Sequence, residues 1–171
     1  MAPQTGRRRE QMKKLDNANI KILSLMQENA AMTADEMAEE VGLSASAIQK
    51  RLRHLRADGV IERETAILSA EALGGVSLFL VNVQLVRTKH DTIGAFRALM
   101  KETDEVLQCF HITGAFDFCL LVAARDTHGY EHFSNRFFTE DNYVARFETS
   151  VVLKSVKYGF ELPLEHLLSR R

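Results

Sequence analysis

Apolar residues in the first third of the chain recur about every 3.6 positions, which predicts three short helices joined by tight turns. We expect the first helix to begin near Asp16, whose carboxylate can accept hydrogen bonds from the free amides of the first turn. Thr33 and Ser44 can cap the second and third helices in the same way, and Gly42 and Gly59 are placed to end them. The pattern therefore predicts a small three-helix unit.

Beyond the third helix the hydrophobic period changes to mixed strand and helix patterns, which marks a domain boundary. Residues 61–75 fit a strand that leads out of the helical unit and ends at a hinge, Gly74–Gly75. The rest of the chain predicts a strand, a helix, two strands, a helix and a last strand, over residues 76–86, 91–103, 106–113, 116–124, 127–138 and 145–158. This βαββαβ order is that of a ferredoxin-like α+β sandwich with both helices on one face of the sheet.

The other face of that sheet also needs a cover. The first predicted strand alternates, so Leu78 and Leu80 point away from the face that the helices cover. An isolated monomer would expose these apolar residues to water. A symmetric dimer that pairs two such faces would bury them, so we expect a homodimer.

Composition narrows the possible functions. With 171 residues, of which 46% are hydrophobic, the chain can bury one full core or two small ones. Its formal net charge of −1 gives no global attraction to polyanions, so any contact with nucleic acid must depend on a local cluster. No apolar run is long enough to cross a bilayer or to form a signal peptide, so we expect a cytoplasmic protein. The presence of only Cys109 and Cys119 fits a reducing compartment.

The third predicted helix carries a local cluster of cations opposite its apolar side. Ile48, Leu52 and Leu55 stand at i, i+4 and i+7 and are expected to pack on the first two helices. At about 100° per residue, the opposite face consists of Ser46, Lys50, Arg53 and Ala57, flanked by Gln49 and His54, with Arg51 and Arg56 at the sides.

This face has the chemistry of a helix that enters a DNA major groove. Residues 44–58 hold four cations and one anion, whereas the second helix holds four anions and no cation. Short side chains at the helix start let the backbone approach, Gln49 can read a base edge, and Lys50 and Arg53 can reach guanine or phosphate. The alternative interpretation is a charged face that is only solvated.

The chain resembles the Lrp/AsnC family of transcriptional regulators over nearly its whole length after the first 14 residues. "LDNANIKILSLMQENA" is similar to the family's opening L-D-x-x-D-x-x-I-L-x-x-L, and "EMAEEVGLSASAIQKRLRHLRADGVI" is similar to its helix-turn-helix. Asn19 and Arg56 replace residues that are acidic in the family pattern, so no DNA sequence preference can be carried over. The predicted contacts with double-stranded DNA are Ser44, Ser46, Ala47, Gln49, Lys50, Arg51, Arg53 and His54.

The resemblance implies four segments along the chain: a flexible basic tail (1–14), a winged-type helix-turn-helix DNA-binding domain (15–61), a connecting strand and hinge (62–75), and a ferredoxin-like effector-binding and oligomerisation domain (76–171). In the family, the last domain dimerises, assembles dimers into octamers or similar rings, and binds small effectors, most often amino acids. Effector binding is expected to change the assembly or the affinity for DNA.

The stretch "CFHITGAFDFC" is the candidate effector site. Gly114, Ala115, Phe116 and Asp117 match the family's Gly-x-Tyr/Phe-Asp turn, in which backbone amides can hold a carboxylate and the aspartate can accept from an ammonium group. Carrying the family's pocket over by position adds His111, Thr113, Thr149 and Ser150. Alternatively, the glycine only permits the turn and the aspartate caps it.

Two further residue pairs have possible chemical roles. In a regular hairpin centred on Gly114, His111 would lie opposite Asp117 and Cys109 would lie opposite Cys119. The facing cysteines would allow a redox switch. Buried cytosolic cysteines are more often small core residues. His128 and His132, four residues apart on a helix, could share a metal, but no third ligand is evident, so no metal, cofactor or catalytic residue is predicted.

Two alternatives remain open. The basic stretches "GRRRE" and "QMKK" could add phosphate contacts on DNA, or could form only a solubilising, disordered end. An enzyme is the other alternative, because some sirohaem decarboxylases resemble this two-domain architecture. A decarboxylase would not need Lys50 and Arg53 on the outer face of the third helix, and the chain shows no glycine-rich phosphate loop or activated nucleophile.

Overall fold

The computed structural model of the protein describes residues 15–70, 72–86, 91–139 and 143–168. These residues form two compact units. The first unit contains the described residues up to Ile67 and those from Tyr158 onward, and the second unit is Leu68–Lys157. The predicted basic tail, residues 1–14, lies outside the described residues.

The first unit is built from three helices close to the predicted positions. They are α1 (Asn17–Glu28), α2 (Ala34–Val41) and α3 (Ala45–Ala57). The three predicted capping residues are confirmed. Asp16 and Ser44 each accept a hydrogen bond from the amide three residues further on, at 2.8 and 3.3 Å. Thr33 and Glu36 form a reciprocal capping box at the start of α2.

The turn between α2 and α3 depends on Gly42. Its φ of +76° lies in the left-handed region that side chains with a Cβ rarely adopt. Its amide donates to the carbonyl of Ala38 at 2.9 Å, which closes α2 and lets α3 begin three residues later. The three helices then enclose a core of Ile22, Leu23, Met26, Met37, Ile48, Leu52 and Leu55.

The second unit confirms the predicted βαββαβ order and the ferredoxin-like α+β class. Its elements are β1 (Ser77–Leu85), α4 (Thr92–Lys101), β2 (Val106–His111), β3 (Phe118–Ala124), α5 (Thr127–Ser134), a π-helical turn (Asn135–Thr139) and β4 (Val144–Val151). The antiparallel sheet has the order β2-β3-β1-β4.

The two faces of the sheet have different surroundings. The helix-covered face packs Val81 and Leu120, both fully buried, against Phe96 of α4 and Phe133 of α5. On the opposite face, no described element of the second unit covers the apolar side chains. Leu80 there is 41% exposed, and the other apolar members include Leu78, Phe110, Cys119 and Leu121.

Two predicted strands differ in the structure. Residues 63–69, expected in the connecting strand, form no strand and are exposed, with Ile67 69% accessible. A strand forms only where a second strand lies alongside to share its backbone hydrogen bonds, and the sequence of this stretch does not show whether such a partner is present. The last strand was predicted to reach Tyr158 but ends at Val151, opposite Phe79 of β1, and one further backbone hydrogen bond follows, from the Val152 amide to the carbonyl of Leu78 at 2.9 Å.

The last described residues, which the predicted 76–171 domain includes, pack with the helices of the first unit. From Tyr158 onward the described residues belong to that unit and include α6 (Leu164–Leu168). The side-chain amide of Gln27 in α1 donates to the carbonyl of Leu162 at 3.1 Å and accepts from its amide at 2.7 Å. Leu164 packs against the helical core. These contacts attach the segment to the three helices of the first unit.

The hairpin between β2 and β3 is shifted by one residue from the predicted register. Cys109 lies opposite Leu120, and Phe110 lies opposite Cys119. The two cysteines therefore point to opposite faces of the sheet, and His111 faces Phe118 rather than Asp117. The shift arises because six residues, not five, connect the two strands.

The sheet core gives a direct test of the face assignment. We expect Leu120→Ala to lower the free energy of unfolding by about 2–5 kcal/mol, because it leaves a cavity between the sheet and its two helices. Urea unfolding monitored by circular dichroism measures this change. Leu153→Ala makes the same chemical change at a side chain that is 95% exposed, and it should alter stability by less than about 0.5 kcal/mol. Equal losses in the two variants would contradict the assignment.

Candidate nucleic-acid interface and effector loop

The buried side of α3 determines which residues it presents outward. Ile48, Leu52 and Leu55 are at most 7% exposed and pack in the three-helix core. A helix of 3.6 residues per turn then directs the opposite side to solvent. The predicted contact residues that are exposed there are Ser44, Ser46, Gln49, Lys50, Arg53 and His54.

Four cations of α3 have two different environments. Arg56 pairs with Glu64 at 2.7 Å, and Arg51 pairs with Asp16 at 2.8 Å. Among the described residues, Lys50 and Arg53 form no ion pair within 4.0 Å. Their charges are therefore available to a polyanion that approaches this face.

Arg51, one of the predicted DNA contacts, is held by two residues at the start of α1. Its guanidinium donates to both carboxylate oxygens of Asp16, at 2.9 and 2.8 Å, and to the side-chain oxygen of Asn19 at 2.9 Å. These three hydrogen bonds hold it toward the start of α1. Asp16 thus both caps α1 and anchors α3, a double role that its position in the sequence did not reveal.

The charge on Asp16 is favoured by these partners. Partial burial raises its pKa, but the Asn19 amide and the Arg51 guanidinium outweigh that effect and hold the pKa below the ordinary value. The pair is half-exposed, so solvent screens much of the attraction. Its main effect is to orient α3 relative to α1.

The start of α3 is built from small polar residues. Ser44 accepts from the amide of Ala47, and its hydroxyl also lies 3.1 Å from that of Ser46. Ala47 is half-buried, so it contributes little surface of its own. These short side chains leave the N-terminal turn of α3 accessible to a neighbouring backbone.

An open groove lies beside this face, between the beginning of α1 and the length of α3. Lys50, Arg51 and His54 line one side of it, and Leu15 and Asn19 line the other. The groove therefore joins the point where the chain enters α1 to the cationic part of α3. Asp58 lies in the same lining, so the groove carries charges of both signs.

One acidic residue of α2, Glu36, takes part in the cap at the start of the helix. The Thr33 amide donates to Glu36 at 2.6 Å, and the Thr33 hydroxyl donates to it at 2.8 Å. These hydrogen bonds lower the pKa of Glu36. Asp35, Glu39 and Glu40 are exposed, as the sequence predicts.

The candidate effector loop, residues 112–117, connects β2 to β3. Gly114 has a φ of +125°, so only glycine fits this point without strain. The Ile112 amide donates to the carbonyl of Asp117 at 2.9 Å and closes the loop. The loop residues Thr113 and Ala115 are exposed, and Phe116 is half-buried.

Asp117 has a structural role in this unit. Its carboxylate accepts from the Leu85 amide at 2.8 Å, and its own amide donates to the carbonyl of Val83 at 2.9 Å. It therefore ties the loop to the end of β1, as the capping alternative proposed. One carboxylate oxygen can still accept another hydrogen bond while the other holds Leu85.

The other predicted effector residues do not all lie at this loop. The His111 ring stacks on Phe118, with centroids 4.9 Å apart, and is exposed beside the loop. The Thr149 hydroxyl is hydrogen-bonded to the phenol of Tyr130 at 2.5 Å, on the helix-covered face. Ser150 points to the opposite face.

Within one chain, the end of β4 that carries Thr149 and Ser150 is remote from the loop. Thr149 pairs with Val81, whereas the loop joins β3 at Phe118, opposite Val83. Because β1 lies between β3 and β4, the separation is on the order of 10 Å. The structure therefore brings His111 and residues 113–117 together, but not Thr149 and Ser150.

Arg146 is a residue near the loop that sequence reasoning missed. Its guanidinium lies 5.7 Å from the ring centroid of Phe116 and pairs with Glu148. No sequence signal links position 146 to 116, because the proximity arises from the order of strands in the sheet. Arg146 offers a cation beside the proposed carboxylate-binding loop.

The cysteine and histidine pairs show no additional site. Burial raises the pKa of the Cys109 and Cys119 thiols, which disfavours the reactive thiolate. His128 and His132 are exposed, with Nε2 atoms 3.3 Å apart. Within the described ranges, no group of three or more His, Cys, Asp or Glu residues is placed to hold a metal ion.

The fold and the exposed face of α3 define a winged helix-turn-helix DNA-binding transcriptional regulator. A winged helix-turn-helix DNA-binding family matches residues 15–62, and the Lrp/AsnC ligand binding domain matches residues 78–162. The chain belongs to the Lrp/AsnC family. No helix in the described part of the chain is long and apolar enough to span a membrane.

Individual relatives agree with this family. An uncharacterised HTH-type transcriptional regulator of Sinorhizobium fredii is 40% identical over 151 residues, which cover 88% of this chain and 89% of the relative. The glutamate uptake regulatory protein of Zymomonas mobilis is 36% identical over 110 residues, 64% of this chain and 66% of the relative. A crystal structure of a Neisseria meningitidis transcriptional regulator in complex with L-Met is 34% identical, has a TM-score of 0.84, and covers 90% of this chain and 99% of that one.

The anchor between α1 and α3 gives a pH-dependent prediction. We expect Asp16→Ala to lower stability by about 0.5–2 kcal/mol through loss of the cap, whereas Asp16→Asn keeps the cap and removes only the charge. Because the pKa of Asp16 is lowered by folding, its charge stabilises the protein above the unfolded-state pKa and this contribution disappears as pH falls through the folded-state pKa.

Thermal unfolding between pH 7 and pH 3 measures this difference. The wild type should be more stable than Asp16→Asn near neutrality, and the difference should narrow as pH falls below the ordinary carboxyl pKa toward the lower folded-state value. Arg51→Ala should reduce this pH-dependent difference, because the Asn19 amide still favours the charge. A gap between wild type and Asp16→Asn that does not narrow between pH 7 and pH 3 would show that the charge is not the cause.

Proposed function

We propose that this protein regulates transcription by inserting the outer face of α3 into the major groove of specific DNA sites, and that a small effector modulates its assembly or DNA affinity. The observation that carries this proposal is the pair Lys50 and Arg53, which are exposed beside Ser46 and Gln49 without an ion-pair partner among the described residues. Cations on such a face can bind phosphate or guanine, and Gln49 can read adenine.

The effector is an amino acid in this proposal. Three observations support it: the ligand-binding domain of the family, the neighbouring structure that contains L-Met, and the relative named for glutamate uptake. The loop at Gly114 is exposed, the second oxygen of Asp117 can accept from an ammonium group, and Arg146, which pairs with Glu148, lies beside Phe116 of the loop.

The second unit also forms the dimer in this proposal. Its uncovered sheet face contains Leu80 and Phe110, which are 41% and 49% exposed. Pairing two copies through these faces would remove the apolar surface from water. A dimer places two copies of α3 on successive major grooves, and pairs of dimers can assemble further into a ring such as an octamer.

A regulatory, DNA-binding function accounts for the exposed cations on the outer face of α3 better than an enzymatic function does. The relatives and structures named above are regulators by name, and a decarboxylase would not need a cationic outer surface on α3. Burial raises the pKa of both cysteine thiols, which disfavours a nucleophilic thiolate at either position.

Arg53→Ala tests the DNA-binding face. We expect specific DNA affinity to fall by about 1–3 kcal/mol if Arg53 contacts a base, measured by fluorescence anisotropy on DNA from upstream of the gene against scrambled DNA. Arg56→Ala is the matched control, because it removes the same charge from the same helix but from a residue held by Glu64. It should cost less than Arg53→Ala.

Light scattering on the same samples measures the size of the assembly. Arg53→Ala should leave it unchanged, because the second unit is expected to form the dimer. An equal loss of DNA affinity in both variants, or loss of the dimer in Arg53→Ala, would contradict the assignment of Arg53 to the groove.

Two substitutions at Asp117 distinguish its proposed role in ligand binding from its structural role. We expect Asp117→Ala to lower stability by about 1.5–3 kcal/mol, since the Leu85 amide loses a charged acceptor, whereas Asp117→Asn keeps an acceptor there. The measurement is the thermal shift of each variant with a panel of amino acids that includes L-Met and L-Glu.

An amino acid that stabilises the wild type should fail to stabilise Asp117→Asn, because the amide cannot pair with its ammonium group. An unchanged shift in Asp117→Asn would assign Asp117 to the fold alone. If no amino acid shifts the wild type, the effector belongs to another class of small molecule.

A further inference from the structure

We propose that Arg146 determines which amino acid the effector loop accepts. In this proposal Arg146 exchanges its partner Glu148 for a carboxylate on the side chain of the bound molecule, so the effector is an acidic amino acid. The inference rests on the proposed effector loop at Gly114 and names the class of amino acid that the loop binds. It adds to the loop a cation that belongs to β4.

Arg146 and Glu148 lie together on the uncovered face of the sheet, where they form an ion pair. Phe147, between them, points to the opposite face, where its ring centroid lies 5.0 Å from that of Phe138 in the core. Because side chains alternate along a strand, Arg146 and Glu148 share the face that no described element of the second unit covers. Both side chains are therefore accessible to a small molecule.

Arg146 and the effector loop meet at the end of β1. The strand order β2-β3-β1-β4 places β1 between them. Asp117 of the loop accepts from the Leu85 amide, and Arg146 is the strand partner of Gln84, one residue earlier. The guanidinium carbon of Arg146 lies 5.7 Å from the ring centroid of Phe116 in the loop. An anion and a cation therefore flank the end of β1 on its two sides.

The loop itself has groups for both charges on the α-carbon of an amino acid. The backbone amides of residues 113–116 donate no hydrogen bond to another described backbone group, so they can donate to the α-carboxylate. The second oxygen of Asp117 can accept from the α-ammonium group. The two α groups are attached to one carbon, so both can bind at the same loop.

Arg146 is placed for a third charged group. It lies on β4, two strand spacings of about 4.8 Å from β3, where the loop ends. A carboxylate at the far end of a side chain can extend from the loop toward this guanidinium, whereas a neutral side chain such as that of L-Met would leave Arg146 paired with Glu148. The arrangement therefore favours an effector with an acidic side chain.

The exchange of partners costs little. The Arg146 and Glu148 side chains are 63% and 49% exposed, and ion pairs in such contact with water are weak. Phe116 is half-buried, and its ring can exclude water from one side of a carboxylate bound at Arg146, which strengthens the new pair. A guanidinium can also hold a carboxylate through two parallel hydrogen bonds. Glu148, once released, remains hydrated.

The test compares L-Glu with L-Gln, which has nearly the same shape but a neutral side chain. Isothermal titration calorimetry of the full chain measures both dissociation constants. We expect the wild type to bind L-Glu about 2–5-fold more tightly than L-Gln, the range of an accessible ion pair. Arg146→Gln should abolish this preference and leave the affinity for L-Gln unchanged, because only the side-chain carboxylate contacts Arg146.

Glu148→Gln removes the competing carboxylate. L-Glu should then bind about 2–5-fold more tightly than to the wild type, whereas L-Gln should bind equally well to both. The same gain could arise because Glu148 repels an acidic ligand without any contact to Arg146. The double variant Arg146→Gln/Glu148→Gln separates these causes, because competition for Arg146 predicts no gain over Arg146→Gln alone.

The matched control is Arg136→Gln. Arg136 also belongs to the second unit, is 56% exposed and pairs with a glutamate, Glu105, at 2.7 Å. Glu105 precedes the start of β2, whereas the effector loop follows its end. This variant should keep the preference of the wild type for L-Glu. Circular dichroism should show the same secondary structure in every variant.

Three results would overturn the role of Arg146 while leaving the effector loop intact: equal affinity of the wild type for L-Glu and L-Gln, a preference that survives in Arg146→Gln, or a preference that Arg136→Gln also abolishes. A gain for L-Glu in the double variant equal to that in Glu148→Gln would overturn the exchange of partners. If L-Glu, L-Gln and L-Met all fail to bind the wild type, the amino-acid effector is wrong, and the inference is wrong with it.

Discussion

The burial of Ile48, Leu52 and Leu55 against α1 and α2 is the constraint on which the DNA-binding face depends. These three side chains fix the rotation of α3 about its axis. Because side chains follow at fixed angles around a helix, that rotation also determines which residues face solvent. Ser46, Gln49, Lys50 and Arg53 are outward because the apolar stripe is inward. A change in core packing would therefore alter recognition without touching any contact residue.

The tight turn and the Asp16–Arg51 pair add to this constraint. Gly42 allows α2 to end and α3 to begin within three residues, which limits the angle between the two helices. Arg51 then connects α3 to the cap of α1. Of the four cations of α3, Arg51 serves this placement and Arg56 pairs with Glu64, while Lys50 and Arg53 form no ion pair with another described residue.

The second unit follows a comparable division between its two faces. α4 and α5 cover one side of the sheet, and on the other side no described element of the second unit covers the apolar side chains. The loop at Gly114 connects β2 to the start of β3, and Asp117 holds it against β1. The structural role of Asp117 is compatible with the proposed binding role, because a carboxylate has two oxygens and the Leu85 amide donates to only one of them.

The sequence by itself determined the helices, their caps, the βαββαβ order and the cationic face of α3, because these depend on local spacing and on turn chemistry. It was wrong about the connecting strand and about the hairpin register, and it placed the final segment with the second domain. Strand pairing depends on which backbone groups lie alongside, and no local pattern states that. Only the tertiary structure decided that Arg51 binds Asp16, that Gln27 holds Leu162, and that Arg146 lies beside Phe116. Each of these contacts joins residues at least 30 positions apart, and their proximity follows from the packing of whole elements rather than from their neighbours in the chain.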